Sequence, residues 1–182
     1  MRQIKGALFK YFIINIRGNK TGIYDNILTE EEKNIVNQQI LDALWYPYEH
    51  FKIISEAIYR AEGIVNKDEM KVWGYNHSKK FLDNLHKSST QTRAITLAIK
   101  TYDRLFNLWF NFGKQHGEII SDNEVNFIFE DFDDEFDMIY YMAAGWIQGF
   151  MEAYLNKKAK TKFIQKSWEG DDKTIINITW SS

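Results

Sequence analysis

Apolar residues recur at intervals of three and four through most of the first 106 positions of this chain, then at intervals of two, then at three and four again. Ala7, Leu8, Tyr11, Phe12 and Asn15 set a helix over 3–17, and Gly18-Asn19-Lys20 stops it. Thr29-Glu30-Glu31-Glu32 reads as a capping box opening a second helix. Asp42 to Pro47 is a break, because the residue before proline is driven from the α region. Pro47 then suits the first turn of a third helix, with Phe51, Ile54 and Ile58 on its inner face and Gly63 at its end. Asn66, with Glu69 three residues on, caps a fourth helix whose stripe is Met70, Trp73, His77, Phe81 and Leu85. Ser88-Ser89-Thr90 opens a fifth, with Ile95, Ala98, Ile99, Tyr102, Leu105 and Phe106 on one face.

The period changes after Trp109. A Gly-containing stretch leads to a turn at Ser121-Asp122-Asn123, and Val125, Phe127 and Phe129 alternate as in a half-buried strand. A sixth helix is predicted from about Asp134 to Leu155. Its face is Phe136, Ile139, Tyr140, Ala143, Ile147, Phe150 and Tyr154, and the acidic run 130–137 falls in its first turn, where the helix dipole favours carboxylates. Strands over about 161–168 and 174–180, joined by Glu169-Gly170-Asp171-Asp172, close the chain. The predicted class is α+β: about five N-terminal helices, then a four-stranded antiparallel sheet in β-β-α-β-β order, as a single domain over 1–182.

Composition narrows the function. With 23 basic and 25 acidic residues the net charge is −2, so no basic field exists to hold a phosphate backbone and no nucleic-acid partner is expected. No apolar stretch approaches the ~20 residues needed to span a bilayer. Charge returns at Lys10 before a signal-like run develops, which makes the cytoplasm the expected address. The absence of cysteine excludes thiol catalysis, disulfides and Cys-ligated metals. No nucleophile–base order, carboxylate pair or phosphate loop is present, and no metal site or enzymatic activity is expected. The 13 Phe, 10 Tyr and 6 Trp exceed what one core of this size needs, and such rings line ligand pockets.

Four segments carry a resemblance. Ile4-Lys5-Gly6-Ala7-Leu8-Phe9 is similar to the start of haem nitric-oxide/oxygen-binding (H-NOX) domains and of a group of uncharacterised bacterial relatives, and Trp45-Tyr46-Pro47-Tyr48-Glu49 to a segment of that bacterial group. Phe81-Leu82-Asp83-Asn84-Leu85-His86 resembles the helix bearing the haem-ligating histidine of H-NOX domains. Gly145-Trp146-Ile147-Gln148-Gly149 resembles the glycine-containing helix found across the wider superfamily of H-NOX, vinyl-reductase-like and TRAPP small-subunit domains.

The resemblance implies a non-enzymatic sensory or small-molecule-binding domain, its apolar pocket between helices and sheet. Trp73, His77, Phe81, Tyr102, Phe127 and Trp146 are the candidate lining. The alternatives it implies are a homodimeric, TRAPP-like scaffold with a protein partner, and a haem-based gas sensor ligated through His86. Against haem, the Tyr-x-Ser-x-Arg motif that clamps the propionates in H-NOX domains is missing: the corresponding segment is Phe127-Ile128-Phe129-Glu130-Asp131-Phe132, whose carboxylates would repel them. No other cofactor is expected. His77, on the apolar stripe, also reads as a core histidine, and Gly145 and Gly149 as a close approach of helix to sheet. The basic run Lys157 to Lys162 reads as a solvated complement to a helix C-terminus.

Overall fold

A computed structural model describes residues 1–85 and 94–181, with the backbone alone for 83–85. Two compact units emerge, one from 1–65 with 107–112, the other from 66–106 with 113–182.

In the first unit, strand β1 (Gln3–Lys5) precedes helix α1 (Gly6–Arg17); α2 (Glu30–Val36), β2 (Trp45–Pro47) and α3 (Tyr48–Ala61) follow. The predicted helix over 3–17 therefore loses its first three residues to a strand. The cause is tertiary: β1 pairs antiparallel with β2, Lys5 opposite Trp45 and Gln3 opposite Pro47, and backbone pairing outweighs local helical preference. Two of the segments that carried the resemblance thus pair with each other. Gly6 follows from that approach, since an added Cβ would lie 2.9 Å from both the Leu41 carbonyl carbon and the Tyr46 ring. The predicted capping box is present: the Glu32 backbone N–H donates to the Thr29 hydroxyl at 3.2 Å, and the Thr29 backbone N–H donates to the Glu32 carboxylate at 2.7 Å. Ile4, Phe9, Ile13, Phe51, Ile54 and Ile58 are fully buried, and Tyr48 gathers Phe51, Phe110 and Phe112 around its ring at 4.7–6.3 Å.

In the second unit, α4 (Lys67–Leu85) and α5 (Ile95–Trp109, through Phe106) accompany β3 (Lys114–Ser121), β4 (Glu124–Glu130), α6 (Met138–Leu155), β5 (Ala159–Gln165) and β6 (Thr174–Trp180). The sheet is antiparallel throughout, in the order β3-β4-β6-β5. The fold class and the β-β-α-β-β order expected from the pattern are those observed. One face buries Val125, Phe127, Ile176 and Ile178; on the other, Asn177 donates to Glu124 and Asn126 at 2.8 Å each. Asn66 caps α4 as predicted, accepting the Glu69 backbone N–H at 3.0 Å.

Three expectations need correction here. α6 starts at Met138 rather than near Asp134, and no acidic residue lies in its first turn. The acidic run instead makes the preceding turns: Asp131 adopts a left-handed conformation (φ 53°), and Asp133 is buried, accepting the Glu135 backbone N–H at 3.2 Å. Gly145 and Gly149 face α4, not the sheet. An added Cβ at Gly145 would overlap the Lys71 carbonyl, and one at Gly149 the Ser78 hydroxyl. Lastly, β5 runs from Ala159 to Gln165 and a short 3-10 turn occupies Ser167–Glu169, so the predicted strand over 161–168 is shifted by two to three residues. The predicted start of the fifth helix, Ser88-Ser89-Thr90, lies outside the described residues. Among the described residues, no helix is long and apolar enough to cross a membrane.

Candidate functional site

The six residues expected to line a pocket all belong to the second unit, and the structure sorts them into two groups. Phe127, Tyr102, Trp146 and Phe81 form a continuous run of rings. Tyr102 on α5 meets Phe127 on β4 edge-on at 4.9 Å, Trp146 on α6 at 6.0 Å, and Trp146 meets Phe81 on α4 at 5.5 Å. Phe150, which pattern reading assigned only to the core face of its helix, completes the run, stacking on Trp146 at 5.7 Å and meeting Tyr102 at 5.6 Å. Edge-on and offset geometries at these separations add to the area each ring buries. The run has a direction. Phe127 and Phe150 are fully buried and Tyr102 nearly so, whereas Trp146 and Phe81 are half-buried. Burial, with the charge of Asp103 adding, raises the pKa of the Tyr102 hydroxyl and keeps it protonated.

Trp73 and His77 form the second group, one turn apart on α4. Their rings stack at 3.6 Å with 21° between planes, and both are buried. Burial, helped by the charge of Lys80, pulls the His77 pKa down to about 4, so the ring is neutral at pH 7. This imidazole is a core group stacked on an indole. His86 lies outside the described residues. Among those described, no group of three His, Asp or Glu side chains is placed to hold a metal ion.

No family model and no curated protein matches the chain. Solved structures do. An H-NOX protein from S. oneidensis in its Fe(II)NO ligation state has TM-score 0.63 at 13% identity, over 98% of this chain and 99% of that one. An oxygen-binding H-NOX domain related to soluble guanylate cyclases has TM-score 0.68 at 12% identity, over 98% and 95%. The fold is the H-NOX fold. A variant of T. tengcongensis H-NOX agrees, with TM-score 0.67 at 12% identity over 98% of each chain. The resemblance read from the four short segments is thereby matched at the level of architecture.

Haem is the group that the H-NOX fold implies, and its candidate ligand in this chain, His86, lies outside the described residues. The rings of Tyr102, Phe127, Trp146 and Phe150 occupy the space between α5, α6 and the sheet at contact distances. Among the described residues the one buried imidazole, His77, has a face covered by Trp73. At the end of β4, the segment that the resemblance aligned with the propionate clamp carries Glu130 and Asp131, and Lys114 pairs with Asp131 at 2.9 Å.

Sequence reading missed one cluster. Asp68, Lys71, Val72 and Tyr75 share a face of α4 and meet Gln148 of α6 along a surface groove. Their i, i+3, i+4, i+7 spacing was visible, but on a mixed polar face such spacing ordinarily marks solvent.

Proposed function

We propose that this chain is a non-enzymatic sensory domain on the H-NOX fold that binds a small apolar molecule, without haem, against the outer end of the aromatic run at Phe81 and Trp146. The observation that carries this reading is the run itself. It leads from fully buried Phe127 and Phe150 out to two half-buried rings, an apolar surface with the Tyr102 hydroxyl held protonated behind it. Likeness to H-NOX domains over 98% of the chain supports a sensory role, since the solved relatives are described in complexes with nitric oxide and oxygen.

The test combines a melting series with an absorbance spectrum. Palmitate and protoporphyrin IX are each added to the purified protein. A ligand at a hundredfold excess over its Kd stabilises by about 2.7 kcal/mol, or ~5–10 °C for a chain of this size. The shift should appear in the wild type and vanish in Trp146→Ala. Absence of any shift with both compounds overturns the reading. So does a Soret band after haem supplementation that disappears in His86→Ala, which would make the domain a haem sensor instead.

A further inference from the structure

The groove on the α4–α6 seam measures about 370 Å³, within the size range of small-ligand sites. Its polar groups are held in place from behind. Lys71 Nζ donates to the Thr161 carbonyl at 2.8 Å, and the single proton of the Thr161 hydroxyl is shared between the Ala144 carbonyl at 3.3 Å and Gln148 Oε1 at 3.4 Å. The Tyr75 hydroxyl donates to Glu152 at 2.7 Å; that carboxylate also accepts the Ala159 backbone N–H at 3.1 Å and pairs with Lys158 at 3.4 Å. Glu152 is therefore satisfied. Lys71 has one acceptor for three N–H groups among the described residues, and the Gln148 amide nitrogen remains available. Burial lowers the Lys71 pKa even though the charge of Asp68 works to raise it, so its ammonium lacks part of the solvation it would have in water. Val72 is 58% exposed, and the Tyr75 ring carries Lys79 Nζ on one face at 4.3 Å. A cation and an amide donor lining one groove beside an apolar wall suit a carboxylate with a hydrocarbon body.

We propose that this groove binds a small organic monocarboxylate, its oxygens taken by Lys71 Nζ and Gln148 Nε2 and its apolar part laid on Val72 and Tyr75. Asp68, the one acidic group in the lining, opposes a second negative charge and so selects against phosphate-like dianions. The site is separate from the aromatic run and stands whether or not an apolar molecule binds there.

Calorimetric titration of the full chain with sodium benzoate, benzyl alcohol and inorganic phosphate tests it. Benzoate should saturate, and the other two should bind at least about tenfold more weakly, since the charge-assisted bond is lost or the Asp68 repulsion added. Lys71→Met should weaken benzoate about tenfold while Lys71→Arg retains it, and Asp68→Asn should tighten it several-fold and admit phosphate. Gln148→Glu, at a half-buried surface position, should weaken it comparably and serves if Lys71→Met does not fold. No benzoate binding to the wild type overturns the proposal. So does benzyl alcohol binding as tightly as benzoate, or a folded Lys71→Met or Gln148→Glu protein with unchanged affinity.

Discussion

Gly145→Ala is the substitution most informative about the core of the second unit. The added Cβ would sit 2.7 Å from the Lys71 carbonyl carbon and 2.8 Å from the Tyr75 backbone nitrogen. Carbon contacts are most favourable near 3.5–4.0 Å, and the Lys71 carbonyl oxygen is nearer still, so α4 and α6 must move apart by more than about 1 Å. Both obstacles are helical backbone and cannot rotate away. Overpacking of this kind costs about 1–3 kcal/mol, and the rigid obstacle puts this site at the upper end. Replacing a helical glycine with alanine contributes about 1 kcal/mol in the other direction. The net expectation is a loss of about 2 kcal/mol, which for a chain of 150–250 residues lowers the melting temperature by ~4–8 °C. Gly170→Ala provides the contrast. Gly170 has a φ of 103° with open space around it, so its cost is conformational alone, about 1–2 kcal/mol. Calorimetric melting of the two variants should show the difference in kind as well as in size. Widening the seam in Gly145→Ala displaces α4 and with it Phe81 from Trp146, so the Trp146 fluorescence should change; in Gly170→Ala, which sits beside Trp168 instead, the Trp146 contribution should not. A Gly145→Ala protein as stable as the wild type, with unaltered fluorescence, would refute the close-approach argument.

Two further outcomes follow from buried ionisable groups. His77 titrates near 4 in the folded protein against about 6.5 unfolded, so the unfolded chain binds the proton first as pH falls. Stability should therefore be full above pH 6.5 and decline as pH drops toward 4, by at most about 3 kcal/mol; melting measured between pH 6.5 and 5, above the range of ordinary carboxylates, should slope in the wild type and be flatter in His77→Gln. For Glu32, burial pushes the pKa up, but the hydrogen bonds from Arg60 and from the Thr29 backbone, with the Arg60 charge, outweigh it and the net shift is downward. Its contribution is present above about pH 4.5 and lost as pH falls below that, and Thr29→Ala, which removes the other half of the capping box, should cost about 1 kcal/mol at pH 7 in a denaturant titration.

What the sequence determined by itself was local. The capping residues Thr29 and Asn66, the stripes of α3, α4 and α5, the alternation of β4 and the order of elements from α3 onward were legible, because each depends on neighbours within four positions. The aromatic excess was legible as well, and four of the six residues chosen from it do meet in one run. What tertiary structure decided were the partnerships between distant residues. Residues 3–5 are a strand because Trp45–Pro47 lies alongside them, a pairing across some forty positions that no window of sequence contains. Gly145 and Gly149 announced a close approach, but only the fold shows that α4 makes it. Trp73 and His77 shared a stripe with Phe81 yet stack on each other, because ring direction depends on rotamer and packing as well as spacing. The groove at Lys71 was hidden for the same reason: its second wall and its holding partner, Gln148 and Thr161, come from elements far along the chain.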